Sequence, residues 1–176
     1  LFAPWGEQSR HADSFKNARA LNKRLRLGLV VADFQQGLSV NGLAQPVLAR
    51  LAGAKFEVTV YFHGDRVDEQ TRLARSRVRH WVQCASWSDR QLAQRIEDDG
   101  IDILLDLTGH GERHRMAVFG QRAAPVQASL LAYPGTTGVP NMDWILGDAV
   151  VTPETGDALC SERVWRLPHL VFCYAP

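Results

Sequence analysis

A histidine between two glycines is the residue of this sequence best placed to do chemistry. His110 stands between Gly109 and Gly111 and directly follows the apolar run 101–107. Its imidazole titrates near neutral pH and can act as a general base or a hydrogen-bond donor, and glycine neighbours let a backbone approach a ligand closely. The alternative is a structural histidine that satisfies a loop carbonyl. Loops at strand ends are enriched in functional residues, which favours a catalytic role for His110.

Asp33 is the second catalytic candidate. It follows the nearly continuous apolar run 24–32, at the position where doubly wound α/β folds bind their ligands. A carboxylate there can orient a substrate hydroxyl, or it can hold its own loop by accepting backbone N–H bonds, and the residue type leaves both roles open. The loop 33–39 lacks the GxGxxG pattern, so the dinucleotide-binding fingerprint is absent.

A loop rich in small and hydroxyl-bearing residues is the candidate substrate-binding segment. Backbone N–H groups and hydroxyls in such a turn suit phosphate or sugar hydroxyls, although plain turns also carry threonines. The predicted substrate-binding residues are Tyr133, Pro134, Gly135, Thr136, Thr137 and Gly138.

Two further patterns concern charge and metal. Asp106 lies inside an apolar run, where an unpaired charge is costly, so we expect it to have a fixed partner such as a backbone N–H of the following loop.

His110 and His114 are four residues apart, a spacing that can hold a metal on a helix face. Because Gly111 disfavours a helix through both histidines and no third ligand is evident, we predict no metal site.

An open α/β sheet is the element arrangement that would bring these residues together. Apolar runs alternate with amphipathic segments, which predicts a Rossmann-like, doubly wound and mainly parallel sheet with helices on both faces. A low-complexity segment is absent, and residues 4–20 are interpreted as a helical lead-in. Predicted strands cover 24–32, 56–62, 79–83, 101–107, 126–131, 144–146 and, at an edge, 164–167, and predicted helices cover 39–53, 68–77, 88–98 and 113–120.

Composition excludes several classes of protein. The chain has 176 residues, 45% hydrophobic and 22% charged, which is ordinary for one globular domain, and its net charge of +1 points to no particular partner. No apolar run approaches the ~20 residues of a membrane span. Three cysteines without a CxxC pair indicate neither a disulfide framework nor a zinc site, and suggest a reduced, intracellular protein. The arginines at 72, 75, 77 and 79 are interpreted as a solvated helix face rather than a nucleic-acid patch.

Several segments, in order, resemble the N-terminal half of the catalytic region of glycosyltransferase family 41, which includes the O-GlcNAc transferases and the SPINDLY-type O-fucosyltransferases. The SPINDLY-like bacterial branch is the most similar, and the resemblance covers about residues 24–176. The segments that carry it are 25–28 with Asp33-Phe34, 55–58 with Tyr61, 65–73, 99–104, 107–110, 124–127, 133–138, 142–143, 166–168 and 172–174.

The resemblance implies a fold, an activity and a set of partners. The fold would be the N-terminal lobe of a GT-B enzyme over 24–176, with residues 1–23 a lead-in or linker from preceding tetratricopeptide repeats. The family transfers GlcNAc or fucose from UDP-GlcNAc or GDP-fucose to Ser or Thr of proteins in the cytoplasm, with inversion and without a metal or other cofactor. Most of the nucleotide site would lie on a C-terminal lobe outside this chain. The chain itself begins without Met, and we interpret it as a piece of a longer polypeptide. We therefore expect the chain alone to be inactive.

One departure from the family pattern changes the expected site. Family members carry DFxxH after the first strand, and Gly37 stands here in place of that histidine, which leaves His110 as the remaining catalytic candidate. Gly111 and His114 also replace the Thr and Asn of the SPINDLY-like pattern. A degenerate, non-catalytic binding or scaffolding module is therefore the alternative function. A flavodoxin-like or receiver domain is a weaker one, since Asp33 alone does not form the acidic cluster that a receiver needs.

Overall fold

The residues that the structure describes form seven strands and four α-helices. The computed structural model describes residues 14–17, 22–34, 39–51, 56–111, 113–130 and 135–172. The strands are β1 (Leu25–Val31), β2 (Phe56–Phe62), β3 (His80–Gln83), β4 (Ile103–Asp106), β5 (Val126–Leu130), β6 (Trp144–Gly147) and β7 (Arg163–Arg166). The helices are α1 (Ser39–Leu51), α2 (Glu69–Ser76), α3 (Asp89–Asp98) and α4 (Met116–Gly120), with a 3₁₀ helix at Glu154–Leu159.

All seven strands pair in parallel in one sheet, in the order β3-β2-β1-β4-β5-β6-β7. The predicted parallel α/β fold is confirmed. Strand order reverses between β1 and β4, and ligands of open α/β sheets bind outside the carboxyl ends of the strands at such a switch point. A flavodoxin-like or receiver domain has the order 2-1-3-4-5, so that alternative is wrong.

Helices cover both faces of the sheet because each crossover buries an apolar stripe. On one face α1 and α2 pack through Ala44, Leu48 and Ala74 against β1 and β2. On the other face α3 and α4 bury a second cluster that includes Leu92, Ile96, Met116 and Phe119. Side chains fix where α2 and α3 begin: Asp68 accepts from the N–H of Thr71, and Ser88 forms a capping box with Gln91.

The predicted strand at 101–107 and helix at 113–120 are both shorter in the structure. Ile101 bonds back to Ile96 of α3 through its N–H, so the chain is still turning at this point. Gly109 has a left-handed φ of 60° and opens a loop that delays α4 until Met116. Most of the predicted lead-in lies outside the described residues, as do Gly37, Gly53, Tyr133, Pro134 and Cys173.

The described helices and the arginines at 72, 75, 77 and 79 can be compared with the sequence predictions on membranes and nucleic acids. None of these helices combines the length and apolar character required to cross a bilayer. The side chains of Arg72, Arg75 and Arg79 are exposed, whereas Arg77 donates to the backbone and side-chain oxygens of Gln45 at 3.0 and 2.6 Å. Arg77 therefore joins α2 to α1 and does not belong to a free basic surface.

Candidate functional site

The loop after β4 carries His110 at the carboxyl edge of the sheet. The ring is exposed, and its Nε2 lies 2.9 Å from the backbone oxygen of Thr137. A carbonyl only accepts, so the ring donates through Nε2 in this contact, which makes Nδ1 the basic nitrogen of the neutral ring. The His114 ring stands edge-on at 6.1 Å between centroids. His110 thus satisfies a loop carbonyl while its ring is exposed to solvent, and its catalytic role stays a prediction.

Asp106 has the backbone partners that its burial predicts. The N–H groups of Thr108 and Gly109 donate to its two carboxylate oxygens at 3.1 and 2.8 Å. The residue is completely buried, and burial raises the pKa of Asp106 to about 7 against the opposing effect of these two hydrogen bonds.

Asp33 and His110 follow adjacent parallel strands, and one hydrogen bond ties their segments together. The N–H of Ala32, the residue before Asp33, donates to the Thr108 hydroxyl at 3.1 Å. Asp33 itself is half-buried. The structure therefore brings the two catalytic candidates to one edge. The position of Gly37 lies outside the described residues.

The two threonines of the predicted substrate-binding loop are engaged within the protein. Glu162, 6% exposed at the start of β7, accepts from the Thr136 hydroxyl and the Thr137 N–H, both at 2.7 Å, and from the Thr137 hydroxyl. The same loop supplies the carbonyl that His110 contacts. Gly138 has a φ of 65°, and Gly135 is half-buried. Glu162 holds this loop in place, and the predicted substrate contact of the loop stays a prediction.

His63 is a residue of this edge that sequence reasoning missed. It follows β2 directly, and its backbone N–H donates to Val31 of β1 at 3.0 Å. The side chain is 8% exposed, and Nε2 is buried without a hydrogen-bond partner among the described residues. Burial, together with the charges of Arg115 and Arg113, lowers the pKa of His63 to about 3. The signal that could have found His63 is its position: it lies after β2 just as His110 lies after β4.

Two arginines join the loop after β4 to neighbouring segments. Arg113 pairs with Asp65 of the loop after β2 at 2.5 and 3.1 Å. Arg115 pairs with Asp89 at 2.8 Å and donates to the carbonyls of Cys84 and Trp87. Charged contacts therefore fix the part of the β4–α4 loop that follows His110.

Metal and thiol chemistry find no support in the described part of the chain. No group of three or more His, Cys, Asp or Glu side chains there could hold a metal ion. Cys84 is buried, donates to the Phe62 carbonyl at 3.4 Å, and has a pKa raised by burial to about 11, so it is not a thiolate at neutral pH. Cys160 is half-buried, and burial raises its pKa as well.

A family model assigns the chain. The model described as Glycosyl transferase family 41 matches residues 8–174. The chain belongs to glycosyltransferase family 41. The β1–β4 switch point is thus part of a family 41 region, and the resemblance of the sequence to this family is confirmed.

Relatives of this family 41 chain include plant proteins. It is 29% identical over 167 residues to the "Probable UDP-N-acetylglucosamine--peptide N-acetylglucosaminyltransferase SPINDLY" of Solanum lycopersicum, covering 93% of this chain and 18% of that protein. It is 30% identical over 159 residues to the SEC protein of the same description from Arabidopsis thaliana, covering 85% of this chain and 15% of that protein. The chain therefore spans less than a fifth of the relatives that it matches.

A solved structure has the same fold. A mutant O-GlcNAc transferase of Thermobaculum terrenum superposes with a TM-score of 0.80 at 34% identity, over 86% of this chain and 29% of that chain. The α/β architecture of the family 41 chain is that of part of this transferase.

Proposed function

We propose that this chain is the N-terminal GT-B lobe, over 24–176, of a cytoplasmic protein O-glycosyltransferase. It would act in the inverting transfer of GlcNAc or fucose from UDP-GlcNAc or GDP-fucose to Ser or Thr hydroxyls, with a C-terminal lobe supplying most of the nucleotide site and tetratricopeptide repeats preceding residues 1–23. The observation that carries the proposal is the convergence of the Asp33, His110 and Thr137 segments at the switch point of a family 41 fold.

The chemistry is a single displacement at the anomeric carbon. The acceptor oxygen forms the new bond to that carbon, the bond to the nucleotide diphosphate breaks, and its electron pair leaves with the diphosphate. Inversion follows because attack and departure occur on opposite faces. The acceptor must also lose its hydroxyl proton, and the leaving diphosphate carries negative charge into the crevice.

His110 is the group proposed to take or orient that proton. Its contact with the Thr137 carbonyl selects the tautomer with a proton on Nε2, so Nδ1 is the basic nitrogen. Asp33 is proposed to orient an acceptor or sugar hydroxyl. The segment from Tyr133 to Gly138 is proposed to contact the donor sugar mainly through its backbone, because Glu162 engages both threonine hydroxyls. Fixed positioning and dipoles would then stabilise the transition state.

A histidine variant with a matched control tests the proposal. In the full-length polypeptide, His110→Ala should lower kcat for sugar transfer to a Ser/Thr peptide by about 100-fold or more, the usual contribution of a general base. His80→Ala is the control, because His80 is an exposed histidine on the edge strand β3 that pairs with Glu57 at 2.9 Å. Equal activity of the two variants would contradict the role of His110.

A non-catalytic binding or scaffolding module is the second candidate function. Two observations favour it: Gly37 has no imidazole, and the loop threonines already bond to Glu162. Gly37→His in the full-length polypeptide separates the two functions. A large gain in transfer would mark the natural form as impaired, whereas unchanged and substantial transfer would show that residue 37 is dispensable and the module interpretation wrong.

A further inference from the structure

Asp106 is a buried carboxylate at the carboxyl edge of the sheet, and the proposed mechanism gives it no task. Its side chain is completely buried at the carboxyl end of β4, and it forms no ion pair with any described residue. Each of its oxygens accepts a backbone N–H, from Thr108 and from Gly109. Hydrogen bonds to a buried carboxylate are charge-assisted and stronger than neutral ones, so this carboxylate acts on the turn that follows it.

The turn held by Asp106 presents His110 and also tethers the segment of Asp33. Gly109, whose N–H donates to Asp106, adopts φ of 60° immediately before His110. Thr108 donates its N–H to Asp106 and accepts the Ala32 N–H on its hydroxyl. One carboxylate therefore fixes the backbone from which both catalytic candidates are placed.

The buried cluster on the face of Asp106 is mostly apolar, and its ionisable members, Tyr61 and Cys84, are neutral at pH 7 because burial raises their pKa values. Val30 on β1 and Ser129 on β5 lie opposite it in the register, on the same face, and paired strands run ~4.8 Å apart. The Ser129 hydroxyl is buried and has no hydrogen-bond partner among the described residues. The helices that cover this face present Leu92, Ala93, Ile96, Met116, Val118 and Phe119, none of which ionises. His110, in the same turn, is the ionisable group nearest to Asp106 along the loop.

We propose that Asp106 is a positioning residue for the transfer reaction, which holds the turn 107–110 so that His110 stays on the Thr137 carbonyl beside the Asp33 segment. This role rests on the proposed function. Asp106 has no contact with solvent and does not meet a substrate; it acts through the backbone of the turn.

Protonation gives this role a measurable signature. The ionised carboxylate accepts both N–H groups fully. The protonated acid converts one oxygen to a donor, which can bond to the Ser129 hydroxyl, and weakens one of the two N–H bonds. Because burial raises the pKa of Asp106 to about 7, both forms occur near neutral pH. We expect the turn to be held most firmly above pH 7 and to loosen below it.

Asp106→Asn in the full-length polypeptide tests the role in catalysis. We expect kcat to fall by about 10- to 100-fold, the cost of a misplaced catalytic group, with KM for the nucleotide sugar changed by less than about threefold. The acid limb of kcat with a midpoint near pH 7 should also disappear. Asp102→Asn is the matched control: Asp102 is 8% exposed and accepts the Arg26 N–H and bonds from Asn17 and Lys23 at the opposite end of β4. It should lose stability without a selective loss of kcat.

A spectroscopic measurement separates this role from the proposed function. In ¹⁵N-glycine-labelled full-length polypeptide, the Gly109 amide resonance should titrate with a midpoint near pH 7, and Asp106→Asn should abolish the titration. Ser129→Ala should lower the midpoint, because the protonated acid loses its acceptor. A Gly109 resonance independent of pH between 5 and 9, or an unchanged kcat in Asp106→Asn, would overturn the positioning role. Absence of transfer by the unmodified polypeptide would instead contradict the proposed function, and the titration would then decide on the turn alone.

Discussion

At the scale of single residues, the carboxyl edge buries two ionisable groups that respond to pH in opposite directions. The pKa of Asp106 is raised in the folded chain, so its contribution to stability is complete below about pH 4 and is lost as pH rises through about 7. The pKa of His63 is lowered, so its contribution is present above about pH 6.5 and is lost as pH falls toward about 3. Between about pH 4 and pH 6.5 the two contributions change in opposite directions, so the pH dependences of stability that they cause largely cancel.

Substitution of His63 should remove its contribution to the pH dependence of stability. His63→Phe should remove the loss of stability that His63 causes between pH 6.5 and 4, because phenylalanine fills the same buried space without a group that must be protonated on unfolding. It should cost little at pH 7, since Nε2 has no partner among the described residues to lose. Urea denaturation at pH 7 and pH 4.5 measures both, with exposed His80→Phe as the control. A variant that keeps the full acid-side loss would show that another group causes it.

At the scale of elements, neighbouring strand ends pack closely through their backbones at the carboxyl edge of the sheet. Gly64, after β2, lies against the carbonyl of Ala32 after β1, and an added Cβ would stand 2.2 Å from that oxygen. Backbone atoms cannot rotate away as a side chain can. The His63–Gly64 segment and the segment that leads to Asp33 therefore require glycine at position 64.

Gly64→Ala tests this packing against a glycine in open space. We expect it to destabilise the chain by about 1–3 kcal/mol, the range for overpacked sites, and to lower any transfer activity because Ala32 precedes Asp33. Gly156→Ala is the control: an added Cβ there meets nothing within 4 Å. Thermal unfolding of both variants measures the difference. Equal midpoints would mean that the two loops separate without cost.

The strands and helices could be predicted from the sequence because local residue patterns determine them. Contacts between segments that are distant in the chain could not. Apolar runs located all seven strands, and the need to satisfy a buried charge indicated the backbone partner of Asp106. Glu162 lies 25 residues from Thr137, and no local signal pairs them. His63 resembled any strand-end residue until the sheet placed it beside the loop of Arg113 and Arg115. Sequence reasoning therefore anticipated that Asp33 and His110 follow neighbouring strands, missed His63 and Glu162, and leaves the role of these residues in a site as a prediction.

At the scale of the whole molecule, the chain corresponds to a small part of the proteins that it resembles. It covers 29% of the Thermobaculum terrenum transferase chain and 18% of the Solanum lycopersicum relative. Its proposed groups act on the acceptor and the transferred sugar, whereas a nucleotide diphosphate needs cationic or N–H donors of its own. The arginines of this edge, Arg113 and Arg115, are already paired with Asp65 and Asp89.

The 176-residue chain should therefore neither transfer sugar nor bind nucleotide tightly by itself. We expect no heat of binding with UDP-GlcNAc or GDP-fucose in calorimetry of the isolated chain, because Arg113 and Arg115 at this edge already pair with carboxylates. The full-length polypeptide should bind one of the two donors, and the one that it binds identifies the sugar. Circular dichroism of the isolated chain controls for folding. Transfer by the folded isolated chain would show that this lobe holds a complete site, and donor binding without transfer in the full-length polypeptide would favour the non-catalytic module.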